Sequence, residues 1–305
     1  MCFGNLKAWK VSIVDEFGQF LGNGLIIGCI YALMAAGLTL VFGYMGVVNF
    51  AHGEFYMIGA YISYTVTQLW GMPFALGVVA AALGAIVLGV SVDRLILRPL
   101  RRYDTVEMPM LAMIGLAIMM PNLAMIIWNP VPKSAGSPVS GSSVDLGLMQ
   151  TTPQSLFVIS SAGLFILAAH VFMSRTRVGL TMRGTFQDSM ASWLMGVNVP
   201  RVYALTFAFG AVLAAVSGVL ISTIFQITPS MGSLATGKSF VVVILGGLGS
   251  FPGAIVGGLL LGLVESFGAG YISAGYKDTF GLVVLILVLL LRPQGLFGSA
   301  RTVQE

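Results

Sequence analysis

From Phe17 to Val92 the only formally charged side chain is Glu54, and the stretches 108–132, 146–174, 202–237, 239–264 and 279–291 carry none. A helix of about 20 apolar residues is enough to cross the ~30 Å hydrocarbon core of a bilayer. Most of these runs reach that length, so the sequence reads as an all-α, polytopic membrane protein. Only 9% of the 305 residues are charged and 57% are hydrophobic, with a mean hydropathy of +0.95. A soluble globular domain carries about 25% charged residues. Residues 1–305 therefore read as one helical bundle with little left for a soluble domain. Its 39 glycines suit close helix packing in lipid.

The net charge of +4 records topology and implies no nucleic-acid partner. Arg94, Arg98, Arg101, Arg102, Arg175, Arg177, Arg183, Arg201, Arg292 and Arg301 all fall between or after apolar runs. Basic short loops stay in the cytoplasm, which places 93–107, 174–201 and the tail after Leu291 inside. Spans are expected at 21–43, 54–71, 74–97, 108–128, 154–173, 202–225, 239–267 in two pieces, and 279–291. Two passes within 239–267 give nine crossings, an outside N-terminus and a cytoplasmic C-terminus. A re-entrant hairpin there would give eight. The stretch 129–153, rich in Pro, Ser and Gly, reads as an irregular outer loop. The first 18 residues lack the charged n-region and cleavage pattern of a secretory signal. Cys2 and Cys29 supply neither a disulfide framework nor metal-ligand spacing.

Within 174–201, Phe186, Met190, Trp193, Leu194 and Val197 recur near the helical period and share one face, with Gln187 and Asp188 in the first turn. Gly196, Asn198 and Pro200 end that helix. A short amphipathic helix of this kind either lies on the lipid surface or docks in a groove on a partner protein. "LTLVFGYMGVVNFAHG" and "FVVVILGGLGSFPGA" each follow a β-branched apolar run with a Gly-x-x-Gly pair, Gly43/Gly46 and Gly246/Gly249. Interrupted helices in internal repeats mark transport routes, so "LGGLGSFPGA" at 245–254, with Gly246, Gly247 and Gly249, reads as a broken helix.

"GSLATGKS" at 232–239 matches the phosphate-loop pattern letter for letter. It lacks the soluble strand-to-helix setting and the acidic Mg²⁺ partner that the pattern needs, and Lys238 is expected at the outer lipid interface instead. His52 and Glu54 in "NFAHGE" have no neighbouring cluster of Cys, Asp or Glu, which argues against a metal site. No serine–histidine–acid order or paired carboxylate suggests catalysis. An intramembrane carboxylate marks a substrate path, a proton relay or a structural role. Glu54 is expected to cap the second helix at its positive end, and Asn49 and His52 to line a pathway.

The run "GLIIGCIYALMAAGLTLVFGYMGVVNFAHGEFYMIGAYISY" (24–64) resembles the N-terminal signature of the LivH-like permease subunits of branched-chain amino-acid ABC importers. "RTRVGLTMRGTFQDSMASWLMGVNVPRVYALTFAFGAVLAAVSGVL" (175–220), "KSFVVVILGGLGSFPGAIVGGLLLGLVES" (238–266) and "LRPQGLFG" (291–298) extend the resemblance over most of the chain. It implies a non-catalytic subunit of a bacterial inner membrane. This subunit would pair with a second, related permease, two cytoplasmic ATPases and a periplasmic solute-binding protein. ATP and Mg²⁺ would bind the ATPases only, with no cofactor on this chain. The resemblance makes Gln187, Asp188, Met190, Ala191, Leu194, Met195 and Gly196 a coupling helix that meets an ATPase. "NFAHGE" favours the amino-acid branch; permeases for urea and amides or for aromatic carboxylates are the neighbouring readings. A proton-coupled secondary transporter using His52 and Glu54 is the alternative of a different class.

Overall fold

The structure, a computed structural model, describes residues 4–298 apart from 102, 104, 106, 140, 142, 143 and 146–149; the side chains of residues 4–15, 44, 144, 145 and 150 are not described. Helix α1 (Gly4–Met45) is followed by α2 (His52–Tyr64), which continues through a π turn at Thr65–Leu69. Then come α3 (Phe74–Val92), a second π turn at Asp93–Leu97, the short α4 (Arg98–Leu100) and α5 (Glu107–Trp128). The connection after α5 holds a two-residue antiparallel ladder, β1 (Val144–Asp145) with β2 (Gln150–Thr151). Helices α6 (Pro153–Arg175), α7 (Arg177–Gln187), α8 (Ser189–Leu194), α9 (Val199–Ile221), α10 (Met231–Gly246), α11 (Phe251–Tyr271) and α12 (Lys277–Leu291) complete the fold.

Seven of these helical stretches are long and apolar enough to cross a membrane: Glu16–Gly43, Phe74–Leu100, Glu107–Trp128, Pro153–Arg175, Val199–Ile221, Phe251–Tyr271 and Ala274–Leu291. The shorter α2 and α10 lie among them. Helices α1 and α9 form the buried centre, whereas α5, α6 and α12 leave most of their surface facing outward. Along the antiparallel α1–α11 seam, Gly28 lies against Leu259 and Gly258 against Ala32, so the backbones approach as small residues allow.

Contacts between helix ends sort the bundle into two poles. At one, Arg101 stacks over Tyr203, 4.8 Å from the ring centroid, and the chain after α12 meets the end of α10. At the other, Trp128 Nε1 donates to Thr65 Oγ1 (2.8 Å), and the backbones of Lys133 and Ile227 pair. The arginines of the α3–α5 and α6–α9 connections and Arg292 gather at the first pole. The expected spans match these helices with two shifted starts: α1 begins at Gly4 rather than 21, its apolar stretch running from Glu16. Helix α10 begins at Met231 rather than 239, so the phosphate-loop look-alike "GSLATGKS" is helical and no loop. The connection after α5 is also less irregular than expected: β1 and β2 pair within it, and Pro153 opens α6 with Thr152 Oγ1 accepting from Ser155 N.

Candidate functional site

Between α1 and α2 the chain folds back into the bundle. His52 Nε2 lies 3.1 Å from the carbonyl of Met34, eleven residues before the end of α1 at Met45. At 1.5 Å per residue the segment 46–51 therefore retreats about 16 Å along α1. A carbonyl only accepts, so Nε2–H is the donor, which leaves Nδ1 as an acceptor; it is buried without a partner. The first turn of α2 exposes backbone N–H groups that need partners. Two side chains supply them. Asn49 Oδ1 accepts from Ala51 N (3.0 Å), and Thr236 Oγ1, reaching from α10, accepts from Gly53 N (2.9 Å).

Glu54 stands at the positive end of α2 as expected, but makes no capping hydrogen bond there. It sits in the first turn, fully buried, with Oε2 lacking a partner and pressed over the Cα of Gly232, where an added Cβ would stand 2.5 Å from that oxygen. Any influence of its charge on α2 acts through the field of the helix end. Asn49 likewise is a buried turn-former. No hydrogen bond joins His52 to Glu54. Thr236 escaped the sequence reading because its partner is 183 residues away.

The second break joins α10 to α11. Gly246 closes α10; Gly247 (φ 102°) and Gly249 (φ 81°) take left-handed backbone that side chains disfavour. Ser250 Oγ then accepts from Gly253 N (3.1 Å) to start α11. The two glycine pairs noted in the sequence meet here: a Cβ on Gly43 would stand 2.7 Å from the Cα of Gly249. The chain after α12 covers the same place, with Leu296 N donating to Leu245 O and Phe297 N to Gly246 O, both at 2.9 Å. The ring of Phe186, at the end of α7, lies 3.7 Å from where a Gly249 side chain would begin.

Helix α8 corrects the expected single amphipathic helix. The backbone is extended at Asp188 (φ −153°, ψ 106°), so Gln187 ends α7 and Asp188 caps α8, its Oδ1 accepting from Ala191 N at 2.8 Å. Phe186 and Val197 therefore do not share the face of Met190. At the other end Gly196 (φ 84°) donates from N to Trp193 O (2.9 Å) and reverses the chain. Held between these stops, Met190, Trp193, Leu194 and Met195 project from the first pole; Leu194 is 73% and Met195 86% exposed. An exposed apolar knob of this kind marks a contact surface.

The sequence reading also missed an ionic cluster near the other pole. Lys238 pairs with the fully buried Glu265 and, at 2.7 Å, with Asp278, while Tyr31 OH donates to Glu265 Oε2 (3.1 Å). Lys238 is thus held among α1, α10, α11 and α12 instead of reaching into lipid headgroups. Among the described residues no three His, Cys, Asp or Glu side chains converge as metal ligands would.

Broken helices in an apolar bundle, with a knob beneath one break, define the membrane-embedded part of a transporter. The model of the branched-chain amino acid transport system permease component matches residues 20–290, and the chain belongs to that family. It is 40% identical over 300 residues to the high-affinity branched-chain amino acid transport system permease protein BraD of Pseudomonas aeruginosa, covering 93% of this chain and 97% of that protein. It is 38% identical over 296 residues to LivH of Escherichia coli strain K12, with 92% and 96% covered. LivM of the same strain, also named a permease of that system, is 24% identical over 89% of this chain and 68% of its own length.

Proposed function

We propose that this chain is the membrane-spanning subunit of an ATP-driven importer that carries branched-chain or other hydrophobic amino acids into the cell. The observation that carries the reading is the knob of Met190, Trp193, Leu194 and Met195. It is exposed, rigidly stopped at both ends, and joined through Phe186 to the glycine junction of α1, α10 and α11. An apolar knob entering a groove on an ATPase would pass that motor's closure to both helix breaks. The family and the names of its relatives support the amino-acid substrate.

The likeness to both LivH and LivM supports pairing with a second, related permease. Two cytoplasmic ATPases hold ATP and Mg²⁺ in this reading, this chain holds no cofactor, and an extracytoplasmic binding protein delivers substrate to the opposite pole. The arginines gathered around α8 support an inward-facing first pole in a bacterial inner membrane, with the N-terminus outside. In vesicles holding the complete assembly, Leu194→Asp is expected to leave the subunit in the membrane while ATP-driven leucine uptake falls about tenfold or more, as loss of a buried anchor at an interface would cause. Undiminished uptake by this variant, or leucine uptake driven by a proton gradient without any ATPase, would overturn the proposal.

A further inference from the structure

Remote from the α8 knob lies a cavity of about 240 Å³ between α1, α2, α9, α10 and α12. Ile27, Ile221, Phe225 and Leu234 give it apolar walls, and its charged lining is Lys238, Lys277 and Asp278. We infer that this cavity receives a free α-amino acid as its zwitterion, the carboxylate on Lys238 and the ammonium on Asp278, with the aliphatic side chain against the apolar walls. The inference rests on the reading of the chain as an amino-acid permease and names a place on the route that this reading leaves unassigned.

The charge arithmetic selects the ligand. Glu265 is fully buried and keeps two partners, Tyr31 and Lys238, so the Lys238–Glu265 pair is the fixed half of the cluster. Asp278 is the loose half. It stands in the first turn of α12 with its side chain 74% exposed, and its 2.7 Å contact with Lys238 is of the exposed kind that contributes little. A zwitterion inserted between the two replaces one ion pair by two and changes no net charge. With Lys277 also on the wall, the two lysines balance Asp278 and the buried Glu265, so a carboxylic acid of the same shape would bring an unmatched negative charge and an amine an unmatched positive one. Sites built around charged groups reject ligands that leave those groups unpaired.

Position supports the same assignment. The cavity is bounded by the end of α9, the α9–α10 connection and the start of α12, all at the pole opposite the α8 knob. Tyr56 of the wall is two residues beyond Glu54, so occupancy of the cavity would bear on the start of α2, where the Gly53 N–H donates to Thr236 of α10.

The test is equilibrium binding of radiolabelled L-leucine to the purified permease–ATPase assembly in lipid nanodiscs, without its binding protein. Saturable binding is expected, displaced by unlabelled leucine but by neither 4-methylpentanoic acid nor 3-methylbutylamine. Asp278→Asn should weaken it about tenfold or more, as loss of one partner of a charge pair does, while Lys238→Arg should retain it. Absence of leucine binding, displacement by either single-charge analogue, or unchanged affinity in Asp278→Asn overturns the inference. These outcomes are read in an assembly that takes up leucine when ATP and the binding protein are supplied. If the unaltered assembly takes up none, the amino-acid reading itself is what fails.

Discussion

At the scale of single residues, the fold treats its few buried polar groups as backbone partners first. Asn49 and Thr236 complete the start of α2, and His52 ties that start to α1. Glu54 is left with no hydrogen-bond partner at Oε2, wedged over Gly232. Glu54→Gln keeps the shape and removes the carboxyl group from the positive end of α2. The expected cost is about 0.3–1 kcal/mol, read as a lower thermal midpoint of the purified assembly. Preference among leucine, isoleucine and phenylalanine should stay the same in competition uptake, and altered preference would show that the carboxylate touches the substrate. The sequence made Glu54 conspicuous because it is alone in an apolar run. It could not reveal Thr236, since hydroxyls in a Gly-Ser-Thr stretch look alike until tertiary packing brings one of them to an open N–H.

At the scale of elements, the apolar runs made the helices legible, because charged residues are largely confined to the connections that leave the hydrocarbon. The α10–α11 break was equally legible: Gly247 and Gly249 occupy backbone conformations that other residues resist. The α7–α8 break was not. Spacing near 3.6 runs unbroken from Phe186 to Val197, and only the competition of the Asp188 side chain for the N–H of Ala191 interrupts it. Six residues cannot hold a helix by propagation alone, so α8 depends on that cap. Asp188→Ala is expected to cost about 1 kcal/mol locally. The amount of folded subunit should be unchanged, while more ATP is hydrolysed per leucine moved as the knob frays. An unchanged ratio would mean that the partner surface itself holds α8 in shape. The start of α10 was misjudged for the opposite reason, since "GSLATGKS" is poor in helix formers and is ordered by its packing against Gly53 and Glu54.

At the scale of the whole molecule, two sites stand at opposite poles of one bundle, and the α1–α11 seam runs between them. The ionic cluster at one pole was invisible in the sequence because Lys238 and its partners lie on separate helices, whereas the glycine junction at the other announced itself twice. That junction is closed by residues from the far end of the chain: the N–H groups of Leu296 and Phe297 satisfy the last carbonyls of α10. Ending the chain after Pro293 removes both bonds. At about 0.5–1.5 kcal/mol each, a loss near 2 kcal/mol is expected, measured as a lower thermal midpoint of the purified subunit; an unchanged midpoint would show the tail to be dispensable. The arrangement also bears on the order of events during synthesis. A knuckle threaded into the bilayer early stays unlatched until Leu296 and Phe297 leave the ribosome, so a product that stops short of them carries a defect at the join of α10 and α11.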